Sequence, residues 1–91
     1  MYVGFDSEAS GAAVKTVADI TVPTGATHVE IQAVTQAVSY TMDGVTNPTA
    51  TAGMQFLTTD PPKTFLIEDL NRIRFIQGAG GAGVLNFHFG R

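Results

Sequence analysis

The chain has 91 residues, a net charge of −3 and no cysteine, which fits one domain with a small core and excludes disulfides and thiolate metal sites. Its five lysine and arginine residues are dispersed, whereas nucleic-acid binding depends on clustered cations, so we expect no nucleic-acid partner. Charged residues make up 14% of the chain, about half the usual share, which favours a surface that packs against a partner.

The N-terminal residues 1–13 contain serine, glycine and acidic residues in no regular pattern. We predict that they form a mobile or irregular N-terminal arm, followed by a β-sandwich domain over residues 14–91. Residues 1–6 lack the basic and apolar regions of a signal peptide, and no apolar run approaches the ~18 residues of a membrane span. We therefore expect a protein that is made in the cytoplasm and has no membrane partner.

Alternation of apolar and other residues dominates the rest of the chain and predicts strands. The first predicted strand covers residues 14–22 and ends at Pro23, since proline interrupts a strand. The other predicted strands are centred on Val29, Ile31 and Ala33; on Val38, Tyr40 and Met42; on Met54 and Phe56; on residues 64–68; on Ile73, Phe75 and Ile76; and on Leu85, Phe87 and Phe89. A single helical turn is predicted at residues 67–71. The pattern predicts an all-β fold, a small antiparallel β-sandwich of about seven strands that is jelly-roll-like.

Two glycine-containing motifs resemble ligand sites but are better explained as turns. Residues 78–83 match G-x-G-x-x-G, but a dinucleotide site needs a helix directly afterwards, and here a strand follows. We predict a flexible hairpin loop there. Asp43-Gly44 lacks the second acid that a calcium loop requires and predicts a turn. We therefore expect no cofactor.

The sequence names no catalytic or metal site. The serines Ser7, Ser10 and Ser39 lack the context of a nucleophile. His28 and His88 fall on the sides of their strands opposite the apolar residues, and joint metal binding would require neighbouring strands, which the sequence does not show. We expect no enzyme and no metal site.

A set of five residues is predicted to contact a partner. Arg72 and Arg74 alternate with Ile73 and Phe75, which would place both arginines on one strand face. They fit either an interface or a solvated edge strand that discourages aggregation. The interface candidates are Tyr2, Phe5, Arg72, Arg74 and His88.

Residues 38–91 also contain a series of short motifs: Tyr40-Thr41-Met42-Asp43-Gly44, Pro48-Thr49-Ala50, Gly53-Met54, Leu70-Asn71-Arg72-Ile73-Arg74-Phe75-Ile76 and Leu85-Asn86-Phe87-His88-Phe89. In these motifs the chain resembles small β-rich virion proteins of tailed bacteriophages. The resemblance implies a capsid decoration, or cement, protein that binds the phage major capsid protein in the virion head as a homotrimer, after synthesis in the host cytoplasm.

Two alternatives stay open beside the decoration protein. One is a tail-, neck- or fibre-associated virion protein, which the resemblance also allows. The other is a small carbohydrate-binding module for host attachment. Sugar binding by a sandwich commonly uses tryptophan or tyrosine platforms; the chain has no tryptophan and only Tyr2 and Tyr40, and Tyr40 is predicted to lie in the core.

Overall fold

The computed structural model describes residues 1–91 as eight strands and two short helical turns. The strands are β1 Tyr2–Ala9, β2 Lys15–Thr16, β3 His28–Val34, β4 Val38–Thr41, β5 Met54–Phe56, β6 Lys63–Leu66, β7 Arg74–Gln77 and β8 Val84–Gly90. A 3-10 turn covers Val17–Asp19, and the helix α1 covers Ile67–Leu70. Neither of these helical segments is long and apolar enough to cross a membrane.

The strands form two four-stranded sheets with the topology of a jelly roll. The first sheet has the order β1-β8-β3-β6, and the second has the order β2-β7-β4-β5. The first strand pairs with the last, the second with the seventh, the third with the sixth and the fourth with the fifth, all antiparallel. Such nested pairing is that of one long hairpin wrapped into two sheets. The predicted all-β sandwich is confirmed, with eight strands and not seven.

The core lies between the sheets and comprises 13 buried residues. Alternation supplies most of them, because every second side chain of a strand points to the same face. In β3 the buried residues are Val29, Ile31 and Ala33, and in β8 they are Leu85, Phe87 and Phe89. The second sheet adds Val38, Tyr40, Phe56 and Phe75. The sets predicted for β3 and β8 are therefore confirmed.

The predicted N-terminal arm is wrong, because residues 2–9 form the edge strand β1. This strand pairs with β8 from Tyr2 opposite Gly90 to Ala9 opposite Val84. Its inward-facing positions carry Asp6 and Glu8, opposite Phe87 and Leu85, so the apolar alternation that identifies a buried strand is absent. The sandwich therefore begins within the first residues of the chain and not at residue 14.

The predicted strand over residues 14–22 is also mostly wrong. Only Lys15–Thr16 pair with a neighbour, and the chain then enters the 3-10 turn. The Thr16 hydroxyl accepts a hydrogen bond from the Ala18 amide at 3.3 Å, and the Asp19 carboxylate accepts one from the Thr16 amide at 2.9 Å. These capping bonds satisfy amides locally, and they explain why the alternation does not produce a strand.

Residues 78–83 connect β7 of the second sheet to β8 of the first, so the predicted hairpin loop between neighbouring strands is wrong. Two of its glycines lie against the backbone of the β3–β4 connection. A Cβ atom on Gly78 would lie 2.7 Å from the Ala37 carbonyl oxygen, and one on Gly83 would lie 2.5 Å from that of Gln36. The Ser10 hydroxyl donates to the Gly83 oxygen at 3.0 Å and accepts from the Gly83 amide at 2.9 Å. The connection is thus packed, and glycine is required by close approach of backbone.

We expect Gly83→Ala to destabilise the fold by about 1–3 kcal/mol, the usual cost of inserting a methyl group into filled space. Gly11→Ala is the matched control, because a Cβ atom on Gly11 would meet nothing within 4 Å and this glycine does not have a left-handed φ. Urea unfolding measures both free energies. Equal stabilities of the two variants would contradict this view of the connection.

Candidate functional site

The outer face of the second sheet is covered by the β4–β5 connection, residues 43–53, named here the covering loop. Ser39, on this face, is 0% exposed. Its hydroxyl donates to the Ala52 carbonyl oxygen at 3.4 Å, and the Thr41 hydroxyl donates to the Thr46 oxygen at 2.6 Å. Pro48 of the loop is buried. This face is therefore occupied by the protein itself.

Arg74 anchors the covering loop. Its guanidinium donates to the carbonyl oxygens of Gly44 at 2.8 Å and Val45 at 2.9 Å, and to Asn47 Oδ1 at 2.7 Å. Arg72 lies before β7 and its side chain passes beside Gly44, so the two arginines do not share a strand face as predicted. The contacts of Arg74 account for that residue within the fold. A partner contact by either arginine remains a prediction.

Asp43 fixes the start of the covering loop and confirms the predicted turn. Its carboxylate accepts hydrogen bonds from the Thr46 hydroxyl, from the Thr46 amide at 2.7 Å and from the Val45 amide at 2.9 Å. Gly44 follows with a φ of 75°. The hydrogen bonds from Thr46, followed by that from Val45, favour the ionised carboxylate and lower the pKa of Asp43 to about 2.

The outer face of the first sheet, by contrast, is open to solvent. We define the open face by its outward-pointing side chains, none of which is buried: Tyr2, Phe5, Ser7 and Ala9 on β1; Val84, Asn86 and His88 on β8; His28, Glu30, Gln32 and Val34 on β3; and Thr64 and Leu66 on β6. Glu30 carries the one fixed charge among these residues. The open face is therefore a charge-poor sheet surface available to a partner.

Three of the five predicted interface residues meet on the open face. The ring of His88 lies 5.0 Å from that of Tyr2 and 5.0 Å from that of Phe5, measured between centroids. Tyr2 and Phe5 are each 57% exposed. Hydrogen bonding to the Glu30 carboxylate, then desolvation and the Glu30 charge, raises the pKa of Tyr2. The structure thus brings Tyr2, Phe5 and His88 into one exposed aromatic group.

A β-bulge explains why the sequence does not predict this group. Residues three apart on a regular strand point to opposite faces, so Tyr2 and Phe5 would be separated. The register of β1 on β8 shifts between Tyr2 and Gly4. The extra residue, Val3, packs against the core, and Tyr2 returns to the same face as Phe5.

Beside the aromatic group lies a depression of about 80 Å³. Its lining residues are Phe5, Glu30, Gln32, Pro62, Asn86 and His88. Glu30 lies opposite His88 across the β3–β8 ladder, and Gln32 lies opposite Asn86, so four planar polar side chains form two adjacent rungs. The sequence places each of them on the outward side of its strand, but only the pairing of β3 with β8 places them together.

Three polar side chains of this depression are available for external contacts. The side-chain hydrogen bonds of the protein involve none of Gln32, Asn86 and His88. The volume is well below the range of about 300–1,000 Å³ that is usual for small-molecule sites. The depression can therefore take a side chain or a small group of a larger partner.

The two histidines lie on neighbouring strands, β3 and β8, and on the same face. The ring of His28 lies over Gly90: a Cβ atom added to Gly90 would lie 2.5 Å from the Nε2 atom of His28. The structure contains no group of three or more histidine, aspartate or glutamate side chains placed to hold a metal ion. His28 is half-buried and His88 is exposed; that they bind no metal stays a prediction.

No protein-family model matches the chain, and no curated protein or solved structure is similar enough to it to count as a match. Its function is therefore inferred from the fold, the open face and the residues that line it.

We expect the stability of the fold to decrease between about pH 4 and pH 2 in part through Asp43. Its pKa in the folded state is about 2, below its ordinary value of 3.8, so its stabilising contribution is present above about pH 4 and is lost as the pH falls. Asp43→Asn should therefore reduce the acid sensitivity measured by urea unfolding. Carboxyl NMR should give a midpoint near 2 for Asp43, and a midpoint at the ordinary value would contradict the hydrogen-bond geometry.

Proposed function

We propose that this chain is a structural protein of a tailed-bacteriophage virion, and that it decorates the assembled head by docking its open face on the major capsid protein. The observation that carries the proposal is the difference between the two outer faces of the sandwich. The covering loop occupies one, whereas the other presents exposed aromatic rings on a charge-poor sheet. The resemblance of residues 38–91 to small phage virion proteins supports the same proposal.

The composition of the open face suits protein docking. The central part of an interface is typically depleted in charged residues and enriched in aromatic ones. On this face Glu30 is the one fixed charge, and Tyr2 and Phe5 are each more than half exposed. Leu66, at the opposite edge of the sheet, is 54% exposed. Burial of these side chains against a capsid subunit would supply hydrophobic free energy without desolvating many charges.

The edges of the first sheet are poorly suited to association by strand addition. β1 carries Asp6 and Glu8 at inward-facing positions, and the other edge strand, β6, carries Lys63 at such a position. The Nζ atom of Lys63 lies 5.4 Å from the ring centroid of Phe56 and 5.6 Å from that of Tyr40. Inward-pointing charges on edge strands are a known obstacle to edge-to-edge pairing. Docking through the open face is therefore favoured over docking through an edge.

A decoration protein of this kind acts by mass action. Because it binds the assembled shell and not the free subunits, it stabilises the shell by its binding free energy at each of many sites. Assembly as a homotrimer would join three open faces, so that contacts that are weak singly act together. No catalytic step is part of this function.

A carbohydrate-binding module for host attachment is the second candidate. Gln32, Asn86 and His88 lie beside the exposed ring of Phe5 with no hydrogen-bond partner inside the protein, and such groups can bind sugar hydroxyls. A glycan array tests this candidate directly. Location in the tail, neck or fibres would involve the same face but fewer copies in each particle.

The docking proposal is tested by a matched pair of lysine substitutions. Ser7→Lys places a long cationic side chain on the open face, and Thr51→Lys places the same side chain on the covering loop; both positions are exposed. We expect Ser7→Lys to weaken binding about tenfold or more, and Thr51→Lys to change it less than about twofold. Binding is measured with phage particles that lack the native protein.

Thermal melting of both variants is the control for correct folding. Equal binding by the two variants would exclude the open face as the docking surface. Binding of neither the variants nor the unmodified protein would remove the decoration proposal itself.

A further inference from the structure

We propose that the depression on the open face receives an arginine side chain of the partner protein, with Glu30 as its counter-ion. This inference rests on the proposed docking function and specifies the chemistry of the partner at the same site. It follows from the charge and the dimensions of the depression, and from the free hydrogen-bonding groups of Gln32, Asn86 and His88.

The negative charge of Glu30 in the depression favours a cationic ligand. Glu30 is the one fixed charge of the open face, and the protein's salt bridge joins a different pair, Lys15 and Glu8, at 2.9 Å. The Glu30 carboxylate therefore has the Tyr2 hydroxyl as a neutral hydrogen-bond donor but lacks a basic partner within the protein. It is half-buried between β8 and β6, so a docked protein would desolvate it. A charge that is desolvated at an interface requires an opposite charge from the other side.

The shape of the depression favours arginine over lysine. A guanidinium is planar, donates several hydrogen bonds in fixed directions and stacks on aromatic rings. Gln32 and Asn86 lie on the rung next to Glu30, and their side-chain carbonyl oxygens can accept hydrogen bonds from the remaining N–H groups of the guanidinium. The rings of Phe5 and His88 border the same space, and an aromatic face such as that of Phe5 attracts a cation. The ammonium of lysine is a point charge and would use fewer of these groups.

The volume of the depression favours a side chain over a sugar. About 80 Å³ accommodates the end of a long side chain, whereas small-molecule sites usually exceed about 300 Å³. A neutral saccharide would also leave the Glu30 charge without a counter-ion. The observations therefore favour a protein partner, and saccharide binding is one outcome of the test.

The first test measures binding of an arginine side chain to the isolated protein. It is an NMR titration of the ¹⁵N-labelled protein with N-acetylarginine methylamide. N-acetylcitrulline methylamide is the matched control, because it has nearly the same shape without the charge. We expect arginine-specific shifts at Phe5, Glu30, Gln32, Asn86 and His88, and their loss in Glu30→Gln. Equal shifts with both compounds, or shifts elsewhere, would overturn the inference. Shifts at the same residues with glucose, galactose or N-acetylglucosamine, but not with the arginine compound, would replace it with a saccharide site.

The second test uses phage particles and compares Glu30→Gln with Glu68→Gln. Glu68 is exposed on α1 and does not belong to the open face, so the two variants lose the same charge at different places. We expect Glu30→Gln to weaken particle binding about tenfold or more and to reduce its salt dependence, and Glu68→Gln to do neither.

The two tests separate the inference from the proposed function. If Ser7→Lys abolishes particle binding while Glu30→Gln leaves it unchanged, the open face docks without an arginine contact and the inference fails alone. If the arginine compound binds at Glu30 but no variant or unmodified protein binds particles, the decoration proposal fails and the cation site stands.

Discussion

The structure depends on one geometric constraint: a strand that alternates apolar and polar residues can bury only one of its faces in a two-layer core. β3 directs Val29, Ile31 and Ala33 inward, and β8 directs Leu85, Phe87 and Phe89 inward. The other side of their sheet must therefore be covered by something else or remain open. The second sheet meets the requirement with its own covering loop, held by Arg74 and Asp43. The first sheet has no such loop. Its outer face is therefore where a partner has room to bind.

The edges of the sandwich are closed by charges, and this limits the possible mode of association. At one edge of the sandwich, Lys15 of β2 forms a salt bridge with Glu8 of β1 across the gap between the sheets, at 2.9 Å. On the other side Lys63 of β6 reaches the stacked rings of Tyr40 and Phe56 in the second sheet and donates to a β5 carbonyl oxygen at 3.2 Å. Each contact joins the two sheets. Each also places a charged group at an edge strand, where pairing with an added strand would remove that charge from water. Docking through the open face leaves the contacts of Lys15 and Lys63 intact.

Much of the fold could be predicted from the sequence wherever a strand buries an apolar face, as in β3, β4 and β8. The prediction failed where polar contacts replace apolar ones. β1 has Asp6 and Glu8 on its inward side, and the Thr16 capping box ends β2 after two residues. Tyr2, Phe5 and His88 were each named as interface candidates, but their meeting on one face could not be predicted, since it depends on a bulge in β1 and on the pairing of β1 with β8. The depression requires the register of β3 on β8, which no local pattern encodes.

The most direct test of the account starts from the proposal that a tailed phage encodes this protein. It measures the number of copies in purified particles of that phage, by quantitative mass spectrometry against the major capsid protein. A decoration protein that docks on capsid subunits through the open face must be present in a simple ratio to those subunits, and therefore in hundreds of copies. Between three and a few dozen copies would contradict head decoration and indicate the neck, tail or fibres. Absence of the protein from the particles would contradict the virion role and leave carbohydrate binding as the better explanation of the open face.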